Sequence, residues 1–439
     1  MSLSAKAKLS FMKDLGFPAM LGLQKALKGK RGPRKANPDF GPPLRCAARL
    51  KQIMTRHYYL ARFAPGAKPV AWVTSGAPVE LLRALDFYTI YPENHGALCG
   101  AQKMGPEMCQ VAEDAGYSAD LCSYARVDLG HMLSGKTPAG TLPKPDLLFC
   151  SNNICQTVVY WYKVMAHRYG VPLVMFDTPF NYGRITQPDI DYMVGQVKDM
   201  IPMLEKAAGK AFDMERLIQV AELSRDASEL WGQCLETMRA RPAPMTIFDA
   251  FVHLAPVVSL RGLPVAREYY EILLAELLDR VRRGIGAITN EKKRLMWDNI
   301  AIWYKVRDFS ELFAARGMNF VAATYTNAWA ETIKHLDMSR PLESLAKTYS
   351  LVILNNNLDH RLNLMATMVR DYAVDGLVVH SARSCKPYSL GQYDLKRLLS
   401  ERLGIPAVVI EADITDFRYF SEEQALTRLE AFFEALEDA

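Results

Sequence analysis

The chain has 439 residues, half of them hydrophobic and 23% charged, with eight cysteines and a formal net charge of +5. That length exceeds what one ordinary core organises and implies two or three domains. No stretch approaches the roughly 18 uninterrupted apolar residues of a membrane-spanning helix, and Met1 to Gly29 alternates lysines with apolar residues without a signal-peptide core. A cytoplasmic location is therefore expected, and with it free, catalytic or metal-bound thiols in place of disulfides.

The amino-terminal part is basic: nine Lys or Arg from Lys6 to Lys35 face one acid, Asp14. No nucleic-acid motif accompanies them, so a solvated helical face or a docking arm for another subunit is expected, with neither nucleic acid nor membrane as partner. Residues 1–65 read as a helical segment broken at Gly32-Pro33 and Gly41-Pro42-Pro43. Over 66–186 a βαβ rhythm sets in. Its strands are expected at Val70–Thr74, Phe87–Ile90, Asp146–Cys150 and Leu173–Phe176, and its helices at Pro78–Leu85 and Asn153–Tyr169.

Residues 187–292 change character. Leu217, Val220, Ala221, Ala227, Leu230, Trp231, Cys234, Leu235 and Met238 recur at three or four positions, the mark of a helical insert with Cys234 on its apolar stripe. The strand rhythm returns over 293–439, with strands expected at Arg294–Trp297, Gly317–Thr324, Leu351–Leu354, Gly376–His380 and Ala407–Ile410. The implied fold class is α/β: two flavodoxin/Rossmann-like parallel-sheet lobes with a helical amino-terminal segment and a helical insert. The lobes echo one another, since DLLFCSNNIC (Asp146 to Cys155) and DGLVVHSARSC (Asp375 to Cys385) each place a cysteine after an apolar strand and before a helix.

In open parallel sheets, ligands bind beyond the carboxyl ends of strands, where helix amino termini favour negative charge. Both cysteines are thus expected at lobe rims, with thiol pKa values depressed by the helix ends. Glu93, Asn94 and His95 are expected in a loop just past a strand, with Glu93 and His95 as candidate proton donors. His380, five residues before Cys385, is a candidate proton relay. Ser151, Asn152 and Asn153 are expected either to hydrogen-bond a bound group or to cap the following helix, with capping favoured for Asn152 or Asn153. Arg126 and Lys386 each follow a cysteine closely and offer counter-charge to an anionic group. Cys46 and Cys109 fall on expected helices.

Spacing alone offers no compact CxxC pair. Four ordered segments carry more: YPENHGALCGAQ (Tyr91 to Gln102), DLCSYARVDLG (Asp120 to Gly130), SNNICQTVVYWY (Ser151 to Tyr162) and HSARSCKPY (His380 to Tyr388). Together they resemble the 2-hydroxyacyl-CoA dehydratase and benzoyl-CoA reductase family over about residues 68–180 and 293–419. They look most like the larger cluster-bearing subunit of the ATP-dependent reductase. The resemblance implies a [4Fe-4S] cluster held by Cys122, Cys155 and Cys385 with one iron open, and keeps Cys99, expected in a loop, and Cys150 as reserve ligands. It implies reduction of benzoyl-CoA to a cyclohexadienoyl-CoA. A 2-hydroxyacyl-CoA dehydratase, a double-cubane cluster reductase and a pure electron relay are the alternatives. It further implies a second cluster-bearing subunit, an actin-like [4Fe-4S] ATPase, a low-potential ferredoxin upstream and an aromatic acyl-CoA substrate. The resemblance assigns ATP hydrolysis to that separate ATPase, so no ATP site is expected in this chain.

Overall fold

The computed structural model describes residues 1–28, 37–333 and 335–438. Lys30, Arg31, Arg34 and Lys35 of the basic segment, and its Gly32-Pro33 break, lie outside the described residues. Eight strands are arranged in two wholly parallel sheets: β1 (Val70–Val73), β2 (Tyr88–Ile90), β3 (Leu147–Ser151) and β4 (Leu173–Phe176), then β5 (Lys293–Asp298), β6 (Met318–Ala323), β7 (Gly376–Ala382) and β8 (Ala407–Ala412). The first sheet has the order β2-β1-β3-β4 and the second β6-β5-β7-β8. The two lobes therefore share one topology.

The strands form because both faces are covered. Ala71, Val73, Leu147 and Phe149 enter one core cluster, whereas Val70, Trp72, Leu148 and Cys150 enter another. That is the period of two of a strand buried on both sides. The first cluster runs without a break from β1 and β3 through Trp231 and Leu273 to Trp297 and Val378, so the helices between the lobes complete both sheets.

The helices that matter below are α1 (Ala47–Ala61), α2 (Pro92–Ala101), α3 (Ser123–Ser134), α4 (Gln156–Tyr169), α5 (Gln187–Ala208), α6 (Met214–Glu236), α7 (Pro264–Arg282) and α8 (Lys386–Ser389). Cys234 lies fully buried on α6, as its apolar stripe demands. Among the described residues no helix is long and apolar enough to cross a membrane.

Two expectations about local structure fail. Leu351–Leu354 is not a strand: the chain makes a 3-10 turn over Ile353–Asn355. The run Asn355-Asn356-Asn357 explains this, because Asn355 Nδ2 donates to Ser350 O and Asn356 Nδ2 to Val352 O, which consumes backbone groups a ladder would need. Glu93, Asn94, His95 and Cys99 do not occupy a loop either. They belong to α2, which Pro92 starts at a first-turn position where its missing N–H costs nothing.

Candidate functional site

In both sheets the order reverses between the first and third strands of the lobe, between β1 and β3 and between β5 and β7. Loops leaving such a pair diverge and open a crevice. Here the two crevices face one another across a cavity of about 150 Å³. Ser75 and Gly76 after β1, Cys155 after β3, Ile300 after β5 and Cys385 after β7 all line it, and Cys122 joins them from the turn before α3. The three cysteines, scattered over 264 residues of sequence (385 minus 122, plus one), thus reach one wall system.

Each of the three immediately precedes a helix: Cys122 α3, Cys155 α4 and Cys385 α8. Cys155 is itself the cap of α4, its Sγ accepting the Val158 N–H at 3.4 Å. Neither Asn152 nor Asn153 caps that helix, contrary to expectation. Depressed thiols are also not found. Burial raises Cys122 well above the ordinary thiol value, with Cys385 and Cys155 adding to the rise. It pushes Cys385 up to about 12, and it outweighs the Val158 and Thr157 N–H groups that favour a Cys155 thiolate. A helix end contributes a fraction of a charge, and removal from water costs a thiolate more.

The reserve cysteines lie off the wall. Cys99 packs against Met108, Cys109 and Val127, with its Sγ 3.4 Å from His95 Nε2. Cys150 points into the sheet core. Among the described residues no three His, Cys, Asp or Glu side chains form a ligand set for a single metal ion. The three cavity thiols are near enough to act on one another, Cys385 and Cys155 both bearing on Cys122 and Cys155 on Cys385.

Glu93 lines the cavity in the first turn of α2. Its Oε1 accepts the Ser75 N–H at 3.0 Å and the Ser75 hydroxyl at 3.3 Å, while Oε2 is buried without a partner. Burial raises this carboxyl to about 7, which is where a proton-exchanging group is most useful. His95 does not reach the cavity. It is fully buried, with Nδ1 2.5 Å from Asp128 Oδ1 and Nε2 2.9 Å from Thr137, and burial lowers it to about 4. His380 is likewise enclosed, bonded through Nδ1 to Ile300 O at 2.7 Å and lowered by burial to about 4.

The remaining candidates serve the scaffold. Ser151 N donates to Thr74 Oγ1, Asn152 accepts from Thr178 and donates to Asp177, and Asn153 donates to Gly76 O and Tyr349 O, each at 2.8 Å. Arg126 is consumed by Glu113, Asp413 and Asp416, and exposed Lys386 donates to Arg383 O. Sequence reasoning missed Ser75, although the Ser75-Gly76 turn at a strand's carboxyl end was a usable signal. It also missed the aromatic wall of Tyr124, Trp161, Trp303, Tyr325 and Tyr388. A second cavity of about 540 Å³ adjoins the first and shares Asn94, Ala97, Phe251, Ala255 and Trp303 with it.

Twin parallel-sheet lobes that bring three thiols and a near-neutral carboxyl to one crevice define a two-lobed α/β enzyme subunit with its site at paired switch points. Residues 74–436 match the family described as 2-hydroxyglutaryl-CoA dehydratase, D-component. The chain belongs to this family of 2-hydroxyacyl-CoA dehydratase and benzoyl-CoA reductase subunits. It is 35% identical over 374 residues to the (R)-2-hydroxyisocaproyl-CoA dehydratase alpha subunit of Clostridioides difficile, covering 84% of this chain and 91% of that one. It is 34% identical over 387 residues to a benzoyl-CoA reductase subunit of Thauera aromatica, covering 85% and 89%. The (R)-phenyllactyl-CoA dehydratase alpha subunit of Clostridium sporogenes is 32% identical over 369 residues, covering 84% and 89%.

Proposed function

We propose that this chain holds a [4Fe-4S] cluster on Cys122, Cys155 and Cys385 and is the substrate-bearing subunit of an ATP-dependent benzoyl-CoA reductase, converting an aromatic acyl-CoA to a cyclic dienoyl-CoA. The observation that carries this reading is the delivery of three thiols from three separate turns to one cavity whose other walls are chiefly apolar and aromatic. The donor set fits: a cluster takes one thiolate per iron, three thiols share this wall, and among the described residues no fourth cysteine lines it. When bound, such a cluster supplies single electrons and one iron free to take an exchangeable oxygen ligand.

The chain's own residues do the rest. Tyr124, Trp161, Trp303, Tyr325 and Tyr388 exclude water and present ring faces and edges to a flat acyl group. Among the described lining residues no Lys or Arg is present, so a dicarboxylic acyl group would find no counter-charge. Glu93 holds a proton at its carboxyl near neutral pH and delivers it to, or takes it from, the bound acyl group, while Ser75 keeps the carboxyl oriented.

Dehydration of an (R)-2-hydroxyacyl-CoA with an apolar side chain is the second reading. It is favoured by the relatives named for isocaproyl and phenyllactyl substrates, and it uses the same wall and carboxyl. Both readings include a second cluster-bearing subunit and an actin-like [4Fe-4S] ATPase fed by a low-potential ferredoxin.

Anaerobic co-purification with the neighbouring subunits, followed by iron and sulfide analysis, is expected to find about four irons for this chain's site. Turnover of benzoyl-CoA is expected only with the ATPase, ATP and a low-potential reductant together. Dehydration of 2-hydroxyisocaproyl-CoA or phenyllactyl-CoA with benzoyl-CoA untouched replaces the first reading by the second. Turnover by this chain alone without ATP overturns both.

A further inference from the structure

The turn that follows β1 is held in an unusual way. Its three successive carbonyls, those of Ser75, Gly76 and Ala77, all accept hydrogen bonds from buried side chains of distant segments. One terminal nitrogen of Arg261 donates to Ser75 O at 3.0 Å and Ala77 O at 2.9 Å, and Asn153 Nδ2 donates to Gly76 O. Arg261 is fully buried. Its other nitrogens reach Val258 O at 3.0 Å and the Tyr349 hydroxyl at 3.3 Å, its charge stands 3.6 Å from Glu80, and its plane lies 4.4 Å from the Trp329 ring. A guanidinium buried this thoroughly needs such a cage, and only its planar fork serves three carbonyls, a hydroxyl and a carboxylate at once.

With these carbonyls held, two donors of the same turn, both on Ser75, are directed at α2. Ser75 N–H and Oγ–H both end on Glu93 Oε1. We propose that Arg261, which does not itself line the cavity, is a positioning residue: by holding the carbonyls of Ser75 and Ala77 it turns the Ser75 donors onto the Glu93 carboxyl. The significance of this for turnover rests on the proton-exchanging role proposed for Glu93, whereas the geometry does not.

The groups surrounding Glu93 make the Ser75 donors matter. Asp128 on α3, Cys150 on β3, Cys155 at the start of α4, Tyr162 on α4 and Tyr325 on the helix Thr324–Ile333 all interact with it, and all are acids. Apart from its own backbone N–H, the Ser75 pair is what favours the ionised carboxyl against burial. Releasing the turn removes two hydrogen bonds from the charged form, and the carboxyl must then titrate at higher pH.

The test is a pH titration of the carboxyl by infrared difference spectroscopy on the full chain, with Glu93→Gln identifying the band. Arg261→Met leaves Glu80 unpaired in the core, so the double variant Arg261→Met/Glu80→Gln is measured beside Glu80→Gln alone. The double variant and Ser75→Ala are each expected to move the midpoint upward by about one pH unit. Arg261→Lys keeps the charge without the fork and is expected to move it in the same direction. A midpoint unchanged in a double variant of wild-type circular dichroism overturns the proposal, as does failure of every Arg261 variant to fold, which would assign the residue to the whole core. The titration needs no substrate and no partner. A shifted midpoint in a chain that reduces no acyl-CoA therefore keeps the positioning role and removes only the reaction assigned above.

Discussion

The cysteine turns of the two lobes occupy the same place in the same topology, yet they are built from different chemistry. Counting back five from the cysteine gives Cys150 in the first lobe and His380 in the second, and both point into their sheets. One and two residues before the cysteine the lobes part. The first has Ile154 on the cavity wall and Asn153 buried behind it, whereas the second has Ser384 buried and Arg383 on the surface beside Asp120. Each turn nevertheless makes one hydrogen bond to the other lobe's side of the cavity: Asn153 donates to Tyr349 O, and Ser384 Oγ accepts from Ser123 N. The crossing bond is common to both, and the residue that supplies it is not.

If the turns are equivalent as thiol carriers, then Cys122→Ala, Cys155→Ala and Cys385→Ala are each expected to abolish activity and to lower iron content in anaerobic preparations to near zero. Normal iron in any of them would break the equivalence and bring Cys99 or Cys150 into the ligand set. The asymmetry between the lobes is expected next in their acid chemistry, since only the first places a titrating carboxyl on the wall. Glu93 is raised from 4.5 to about 7 in the fold. Below pH 4.5 both folded and unfolded chains carry the proton, and as pH rises towards 7 the unfolded chain ionises first and stability is lost, by up to about 3 kcal/mol. Glu93→Gln is therefore expected to raise the melting temperature at pH 8 and to leave it nearly unchanged at pH 4.5.

The crossing bonds rank below these. Asn153→Ala strands Gly76 O and Tyr349 O and is expected to cost about 3 kcal/mol in denaturant melts. Ser384→Ala removes a donor to Asp413, which keeps the Thr415 and Asp416 N–H groups, and is expected to cost about 2 kcal/mol. Equal losses would show that the two turns are held alike after all. Cys150→Ala should show the smallest effect, about 1 kcal/mol of lost packing with iron content unchanged, because its thiol belongs to the core.

Much of the fold was legible because its strands are short apolar runs between breakers, and all four strands of the first sheet fell where the pattern placed them. The failure at Leu351–Leu354 has a clear cause: an apolar run reads as a strand, but three following asparagines bind their own backbone. That Cys122, Cys155 and Cys385 face one cavity was legible through their flanking motifs, whereas the enclosure of His95 and His380 was not, because burial by residues distant in sequence decides whether a polar side chain faces a cavity. The thiol pKa values failed for the same reason. Helix ends can be read along the chain, and desolvation cannot. Ser75 was missed because its role depends on a carbonyl trap whose key, Arg261, lies 186 residues away.

Helix α1 begins at a point where Glu276, on α7, accepts the backbone N–H groups of Arg45 and Cys46 at 2.7 and 2.9 Å. That contact joins residues 230 apart. During synthesis the amino-terminal lobe therefore emerges with this helix end uncapped and with its core still lacking the flank that α6 and α7 supply. After β4 ends at Phe176, a ribosome must add about a hundred further residues, to Arg282 at the end of α7, before the first sheet is enclosed. Chains arrested after β4 are accordingly expected to depend on chaperones and to be open to proteases, and the first lobe expressed alone is a poor candidate for a soluble fragment.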